Sequence, residues 1–226
     1  MRLTLTLLLC LAGCGRPLTE TELKFATQFH GPDLDTSQIR ITRSPFIQLY
    51  RTSAPIPPRL TCAQKLFPPT DQKTWTGSPA ATVLFNTIHI NPDVYSRNYL
   101  KDYPERANIL GAMFLAHEFV HVWQWQNREL TGYHPYKAAR EHQLSPDPYL
   151  FDLTNDAKFL DYGYEQQGAI AGEYVCCAAL APNAPRTQRL EDLLEDVFPI
   201  ERLTKSLPKT NFPLPWKDTD LGDLCA

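Results

Sequence analysis

The sequence predicts an α+β fold in which a small sheet is followed by two long helices. The segment TVLFNTIHIN (82–91) alternates apolar and polar residues, which is typical of a strand with one buried face. Apolar residues then recur at helical spacing from near Pro104, which suits a first helical turn, to a stop at Gly132. A second helix is predicted over about Tyr164 to Leu180, closed by Pro182.

The rest of the chain gives weaker local signals. Thr19 and Glu22 have the spacing of a capping box, which predicts a short helix to about Phe29. Two segments have strand character, a proline-rich stretch is expected to be irregular but packed, and an amphipathic C-terminal helix is interrupted by Pro199. The two strand-like segments are 38–42 and 45–50. The proline-rich stretch is 53–80, and the C-terminal helix is 186–203.

Length and composition are those of an ordinary globular protein. The 226 residues and 25.8 kDa suffice for one domain with a substantial core. A formal net charge of −3 leaves no polybasic footprint, so we expect no nucleic-acid partner. We predict a signal segment at 1–13 and a single domain at 14–226, with a core at about 20–181 and a helical tail at 186–226.

The N-terminus has the features of a secretory signal peptide. Arg2 precedes an apolar run at 3–11, which is shorter than the roughly 20 apolar residues that a membrane-spanning helix needs. The stretch LAGC (11–14) resembles the bacterial lipobox, which implies cleavage before Cys14 and lipidation of that cysteine. The alternative is an ordinary signal peptide that ends near a cysteine. Because Gly15 follows rather than aspartate, the resemblance favours a lipid-anchored envelope protein of the outer membrane, facing the periplasm or the cell surface.

The remaining cysteines fit an oxidising compartment. A disulfide between the adjacent Cys176 and Cys177 would be strained, because successive helical residues point about 100° apart. Each of them is therefore expected to bond to Cys62 or to Cys225, in either order; four free buried thiols are the alternative.

The sequence HEFVH (117–121) matches the zinc-binding motif H-E-x-x-H. His117 and His121 are four residues apart on a predicted helix, so their imidazoles can share one metal ion. Glu118 is rotated by about 100° from His117, where it can reach a water on the metal but not easily the metal itself. Zinc peptidases use this arrangement, with the glutamate as general base for a metal-bound water whose pKa falls to about 7. The alternative is a packed helix with buried, hydrogen-bonded histidines.

Two histidines need a third ligand. In the longer motif H-E-x-x-H-x-x-G-x-x-H, a third histidine after a glycine completes the site. The run HVWQWQNREL, which begins at His121, has neither residue in those places. A glutamate from the second helix is expected instead, and Glu165 lies at the start of that helix, where negative charge is favoured. Glu173, His134 and His142 are the alternatives.

Two stretches carry a family resemblance: AHEFVHVWQWQ (116–126) and DYGYEQQGAI (161–170). They resemble the zincin-like bacterial domain called Vgr-related and the core domain of extracellular contractile injection system proteins. Segments 34–41 and 85–95 resemble the same families, and the likeness extends loosely over about 20–175. The resemblance implies a zincin-like fold and a gluzincin-type site with one Zn²⁺ per chain. His117, His121 and Glu165 would be the ligands and Glu118 the general base.

One position departs from the family pattern. The family's E-Q-Q-A-E-I has a second acid where this chain has Ala169. A carboxylate there commonly orients a ligand histidine, so its loss weakens the case for metal affinity or rate, and Glu173 is a candidate substitute. Candidates for stabilising an oxyanion are aromatic or imidazole side chains near the site, namely Tyr162, Tyr164, Tyr174 and His134.

Two hypotheses of function follow. The first is a zinc-dependent metallopeptidase of the gluzincin type, which cleaves a peptide or protein substrate and is held by lipid at the bacterial envelope. The second is an inactive zincin-like lipoprotein that binds a metal structurally or binds a protein partner. Glu118 favours the first hypothesis, because a scaffold has no need of a base there, and Ala169 counts against it.

Overall fold

Helices provide most of the regular structure in the computed structural model, which describes residues 15–145, 147–154, 156–208, 212, 214 and 222–226. The predicted signal segment and the lipid site at Cys14 lie outside the described residues. Within them, no helix is long and apolar enough to cross a membrane. The helices are α1 (Glu20–His30), α2 (Cys62–Leu66), α3 (Ile109–Gln126), α4 (Arg128–Thr131), α5 (Pro135–Leu144), α6 (Tyr164–Leu180), α7 (Pro185–Glu195) and α8 (Glu201–Ser206).

Five short strands form two sheets, so the fold is α+β as expected. In the three-stranded sheet the order is β1-β5-β4; β1 is parallel to β5, and β4 is antiparallel to it. The two-stranded sheet pairs β2 with β3 antiparallel. The strands are β1 (Arg40–Arg43), β2 (Thr52–Pro55), β3 (Thr74–Gly77), β4 (Ala81–Leu84) and β5 (Thr87–Ile90).

The segment predicted as one strand at 82–91 is a hairpin. Its turn lies between Leu84 and Thr87, and Phe85 takes a positive φ of 59°. Asn86 is held from both sides, because its amide donates to Gln38 and its carbonyl accepts from Gln126. A phenylalanine in the left-handed region is rare, so the sequence carried no ordinary turn signal here.

Two other strand-level predictions are corrected. Residues 45–50 form a 3₁₀ helix at Pro45–Leu49 instead of a strand, since proline fixes a helical φ at its first turn. The stretch at 53–80 is not wholly irregular, because it contains most of β2, all of β3 and the short helix α2. Thr61 and Gln64 form a capping box that starts α2.

The main helices follow their local signals, with one shifted boundary. α1 begins at the predicted capping box, and Pro199 separates α7 from α8 as expected. α3 begins at Ile109 rather than near Pro104, because the Asn108 side chain accepts the Gly111 N–H and caps the helix. After a break at Asn127, the short α4 ends at Gly132, whose φ of 65° is left-handed.

The core lies where α3 packs against α6. Two glycines on α6 make this close approach possible. A Cβ at Gly172 would lie 3.2 Å from the Met113 carbonyl oxygen, and a Cβ at Gly168 would lie 2.7 Å from the His117 ring. Trp123 and Tyr174 are among the largest fully buried side chains, and each removes a large apolar area from water. This contact fixes the two helices that carry the candidate metal ligands.

Two disulfides fasten peripheral segments to α6. They join Cys62 to Cys176 and Cys177 to Cys225, so neither forms between adjacent cysteines. The first bridges residues 114 positions apart, and closing so long a loop in the unfolded chain contributes on the order of 3–5 kcal/mol of stability. The four cysteines are therefore paired in one of the two orders that the sequence left open.

Candidate metal centre

Three predicted ligands converge at one point between α3 and α6. The Nε2 atoms of His117 and His121 are 3.1 Å apart, and Glu165 Oε2 is 3.4 Å from each of them. In a tetrahedral zinc site with metal–ligand bonds of about 2.0–2.1 Å, neighbouring ligand atoms lie about 3.3 Å apart. The three atoms therefore already form one face of a zinc-sized tetrahedron, with a donor set of two imidazoles and one carboxylate.

A glutamine fixes the tautomer of His121. The side-chain nitrogen of Gln124 donates to the backbone oxygen of Tyr164 at 3.1 Å and to Gln167 Oε1 at 2.9 Å. Its oxygen therefore faces His121 Nδ1 at 2.9 Å and must accept a hydrogen bond from the Nδ1–H group. With Nδ1 protonated, the neutral ring presents its lone pair on Nε2, which is the atom that faces the other ligands.

The same chain of hydrogen bonds extends across α6. The Gln167 amide nitrogen donates to the backbone oxygen of Tyr162 at 2.8 Å, so both glutamines are anchored to the backbone at the start of α6. Gln124 is 0% exposed and Gln167 is 2% exposed. This buried network orients His121 without an acid at position 169, where the chain has Ala169.

Replacing Gln124 with methionine is expected to weaken zinc binding by about 10–100-fold, because a ligand histidine loses the partner that orients it. A competition titration against a chromogenic chelator measures the change. Gln126→Met is the matched control, since Gln126 makes its hydrogen bonds to Asp35 and Asn86 near the surface. Equal zinc affinity in both variants would show that zinc binding does not depend on the orientation of His121 by Gln124.

Gly168 forms the surface on which His117 rests. A Cβ at this position would lie 2.7–2.9 Å from three atoms of the His117 ring, which is closer than carbon atoms approach in proteins. Sequence reasoning did not identify this residue. The signal was present as the glycine at the fourth position of EQQG, one helical turn after the start of α6.

The variant Gly168→Ala is expected to displace the His117 ring and to lower zinc affinity by at least about tenfold, while the protein stays folded. Ala178→Ser is a suitable control, because it adds one atom to α6 near the end of the helix opposite Glu165. Zinc titration and far-UV circular dichroism follow binding and folding separately. Unchanged zinc affinity in Gly168→Ala would show that zinc binding does not depend on the present position of the His117 ring.

Helix α5 covers the start of α6. Both carboxylate oxygens of Glu141 accept backbone hydrogen bonds, from the Tyr164 N–H at 2.9 Å and from the Glu165 N–H at 3.0 Å. Next to it, His142 Nε2 lies 3.0 Å from Glu165 Oε1. Because His142 engages one oxygen of Glu165, the other oxygen, Oε2, remains directed at His117 and His121.

Charge attraction holds the ligands together. Burial alone would raise the pKa of Glu165, but nearby His121 and hydrogen bonds from three histidines hold it well below its usual range. Burial alone would lower the pKa of His121, but the Glu165 carboxylate outweighs it and raises that pKa to about 9. The buried carboxylate and imidazoles thus attract one another toward the same point.

Glu118 lies beside this cluster and is 7% exposed. Burial raises the pKa of its carboxyl, and the charge on Glu165 adds to this, whereas His117 and His121 act in the opposite direction. Within the described part of the chain, no group forms a hydrogen bond with the Glu118 carboxyl. A buried carboxylate of raised pKa with free lone pairs is a suitable proton acceptor.

Two tyrosines that sequence reasoning missed border the site. The ring centroid of Tyr133, which is 5% exposed, lies 6.4 Å from that of His121. The ring centroid of Tyr149 lies 5.8 Å from that of His117 and 5.6 Å from that of His142. Both residues follow α3 and precede α6, in a region without motif spacing, so no local pattern indicated them.

Burial, followed by the charges of Glu165 and Glu118, raises the pKa of both the Tyr133 and the Tyr149 hydroxyl. Both phenols therefore keep their protons at neutral pH and remain hydrogen-bond donors. Tyr149 is also 44% exposed as a residue, so it lies at the mouth of the site, whereas Tyr133 is part of its wall.

The tyrosines proposed from sequence are engaged elsewhere. The hydroxyl of Tyr162 donates to the backbone oxygen of Asp152, and that of Tyr164 donates to the backbone oxygen of Gly132. Tyr174 is fully buried, its hydroxyl lies 2.7 Å from the Thr204 hydroxyl, and its pKa is raised by burial to about 12. The structure does not bring these three hydroxyl groups to the metal ligands.

Glu173 and His134 also lie away from the three ligands. Glu173 forms a buried ion pair with Arg186 at 2.7 Å and accepts the Cys62 N–H at 2.8 Å, so it fastens α7 and α2 to α6. His134 is exposed, and its Nδ1 accepts the Tyr136 N–H at the start of α5. Of the alternative third ligands, only His142 contacts the site, through Glu165.

No family model matches the sequence, and a search of curated proteins finds no match. Among solved structures, the effector domain of Pseudomonas aeruginosa VgrG2b is similar, with 23% sequence identity and a TM-score of 0.49. The alignment covers 82% of this chain and 85% of that chain.

Proposed function

We propose that the protein is a zinc-dependent metallopeptidase of the gluzincin type, held by a lipid at Cys14 in the bacterial envelope. One observation carries the proposal: His117, His121 and Glu165 present ligand atoms 3.1–3.4 Å apart, at the spacing of a tetrahedral zinc site. Three protein ligands leave the fourth position open, as catalytic zinc sites do.

Bound zinc would supply a Lewis acid and lower the pKa of a coordinated water to about 7. Glu118 would accept a proton from that water at its carboxylate and later deliver one to the leaving amine. Its burial and its lack of a hydrogen-bond partner among the described residues support this role. Tyr149, at the mouth of the site, would donate a hydrogen bond from its hydroxyl to the developing oxyanion.

The three-stranded sheet next to the site favours a peptide in an extended conformation as the substrate. β4 lies at the edge of the three-stranded sheet and packs against α3, which carries HEFVH. Its outer backbone groups face away from β5 and can pair with another strand. A substrate strand added there would run alongside α3, so its scissile bond could reach His117 and His121.

The test is cleavage of an unstructured peptide library by the zinc-loaded protein, read by mass spectrometry of the products. We expect cleavage that stops on chelation and returns when zinc is restored. Zinc binding without cleavage of any library member would favour the second candidate, an inactive zincin-like lipoprotein. Loss of the acid at position 169, where the chain has Ala169, is the observation that favours this candidate.

A further inference from the structure

A basic segment stands out in a chain of slightly negative net charge. Of the 22 Lys and Arg residues in the chain, six lie between residues 40 and 78, together with only one of the 25 Asp and Glu residues. We call residues 40–78 the basic arm. Its basic residues are Arg40, Arg43, Arg51, Arg59, Lys65 and Lys73, and its single acidic residue is Asp71.

The positive charges of the arm are not neutralised within the described structure. None of its six basic side chains forms an ion pair with a carboxylate among the described residues. Arg43, Arg51 and Lys73 are exposed. Arg59 is also exposed and turns back onto backbone carbonyls of α2 and the residue after it. The arm therefore presents several unpaired cationic groups to solvent.

Large apolar side chains accompany these charges. The two-stranded sheet of the arm, formed by β2 and β3, contains no buried residue, although two-stranded sheets usually need a packing partner for stability. Lys73 continues the ladder through a hydrogen bond from the Ile56 N–H, so Lys73 and Trp75 project from one face. The exposed large apolar residues of the arm are Phe46 (49%), Leu49 (87%), Tyr50 (62%), Leu60 (54%), Phe67 (42%) and Trp75 (39%).

The strand β1, at the start of the arm, lies beside Gly15 and Arg16, the two residues that follow the predicted lipid site in the sequence. The backbone of Arg16 pairs with that of Ile41 in both directions, at 2.9 and 2.8 Å. Gly15 lies so close to β1 that a Cβ there would be 2.8 Å from the Arg40 Cβ. Arg16 is fixed further by its ion pair with the buried Glu22 at 2.7 Å. A lipid on Cys14 would thus be attached two positions before Arg16, which is a fixed point on the β1 edge.

We propose that the basic arm docks on an anionic phospholipid bilayer and orients the domain on it. Arginine and lysine beside exposed tryptophan and tyrosine suit the charged interface of such a bilayer, and a basic patch commonly acts together with a lipid chain. β4 lies two strands away from β1 in the same sheet, so the proposed substrate edge is the one opposite the anchor.

The test uses residues 15–226, which contain every contact described above and lack the predicted lipid site. Flotation with phosphatidylcholine vesicles containing 30% phosphatidylglycerol measures partitioning. We expect binding that requires phosphatidylglycerol and falls steeply between low and physiological salt. The triple variant Arg43→Glu, Arg51→Glu and Lys73→Glu is expected to partition at least about 100-fold less, at roughly fivefold per basic side chain.

A second variant controls for net charge. Lys101→Glu, Arg106→Glu and Arg189→Glu change the charge equally at exposed positions outside the arm, and this protein should bind like the unaltered one. Brominated lipids should quench Trp75 fluorescence, and the quenching should disappear in Trp75→Phe. Binding that is absent in the unaltered protein, is equal on neutral vesicles, or is lost equally in both triple variants would overturn the proposal.

Discussion

Replacing Glu118 with glutamine is expected to leave zinc bound and to lower peptide cleavage by about 10²–10⁴-fold, the usual contribution of a general base. Glutamine has the same shape but cannot accept the proton. Glu118 is buried beside His117 and His121 without a hydrogen-bond partner among the described residues, so its amide replacement breaks no observed contact. The measurement is kcat on a cleaved library peptide together with zinc content.

The control for this variant is Glu129→Gln, which makes the same change on the exposed surface of α4. It should keep full activity. If Glu118→Gln cleaves as fast as the unaltered protein, Glu118 is not the base. If it loses zinc as well as activity, its role is in forming the site rather than in proton transfer.

The second large effect is expected at the third ligand. Glu165→Ala should weaken zinc binding by more than the roughly 10–100-fold that loss of an outer-shell partner costs. It removes the carboxylate whose Oε2 lies 3.4 Å from both histidine nitrogens, and it leaves His142 without its acceptor. A competition titration with a chromogenic chelator gives the dissociation constant.

Glu173→Ala is the matched control, because Glu173 is the other buried glutamate of α6. Its loss leaves Arg186 unpaired and is expected to cost about 3–5 kcal/mol of stability, with zinc affinity unchanged. Thermal denaturation and zinc titration therefore separate the two glutamates. A loss of zinc affinity in Glu173→Ala but not in Glu165→Ala would transfer the ligand role to Glu173.

Elements set by local pattern were predictable from the sequence. α6 has the bounds expected for it, and α1 starts at the capping box of Thr19 and Glu22. The start of α3 was missed, because the cap at Asn108 was a weaker signal than Pro104. The β4–β5 hairpin was missed for a different reason. Its turn places Phe85 at positive φ, a conformation set by contacts around Asn86 rather than by turn chemistry.

The site residues also divide into those that local sequence spacing predicts and those that only the fold brings together. His117, Glu118 and His121 lie within five residues of one helix, so helical spacing alone brings them together. Glu165 was favoured by its place at the start of the second predicted helix, and the resemblance to zincin-like domains supported that choice over Glu173, His134 and His142. Tyr133, Tyr149 and Glu141 reach the site through the fold of the segment between α3 and α6, which has no motif to indicate it.

His121 is oriented without an acid at position 169, where the chain has Ala169. Gln124 is three residues after His121, on the same face of α3, and its side-chain oxygen accepts a hydrogen bond from the Nδ1–H group of His121. Gln167 supports Gln124 from α6. Both glutamines belong to the stretches HVWQ and EQQ that carry the family resemblance, so an acid is not the only group here that can orient His121.

Metal content is the most direct test of the central claim, that His117, His121 and Glu165 form a zinc site. Residues 15–226 and the same protein with His117→Ala would be purified separately by the same procedure. The zinc content of each would be measured by inductively coupled plasma mass spectrometry. The account predicts one zinc per chain in the first protein and a large loss in the second. No metal in either protein after incubation with zinc, or equal zinc in both, would contradict it.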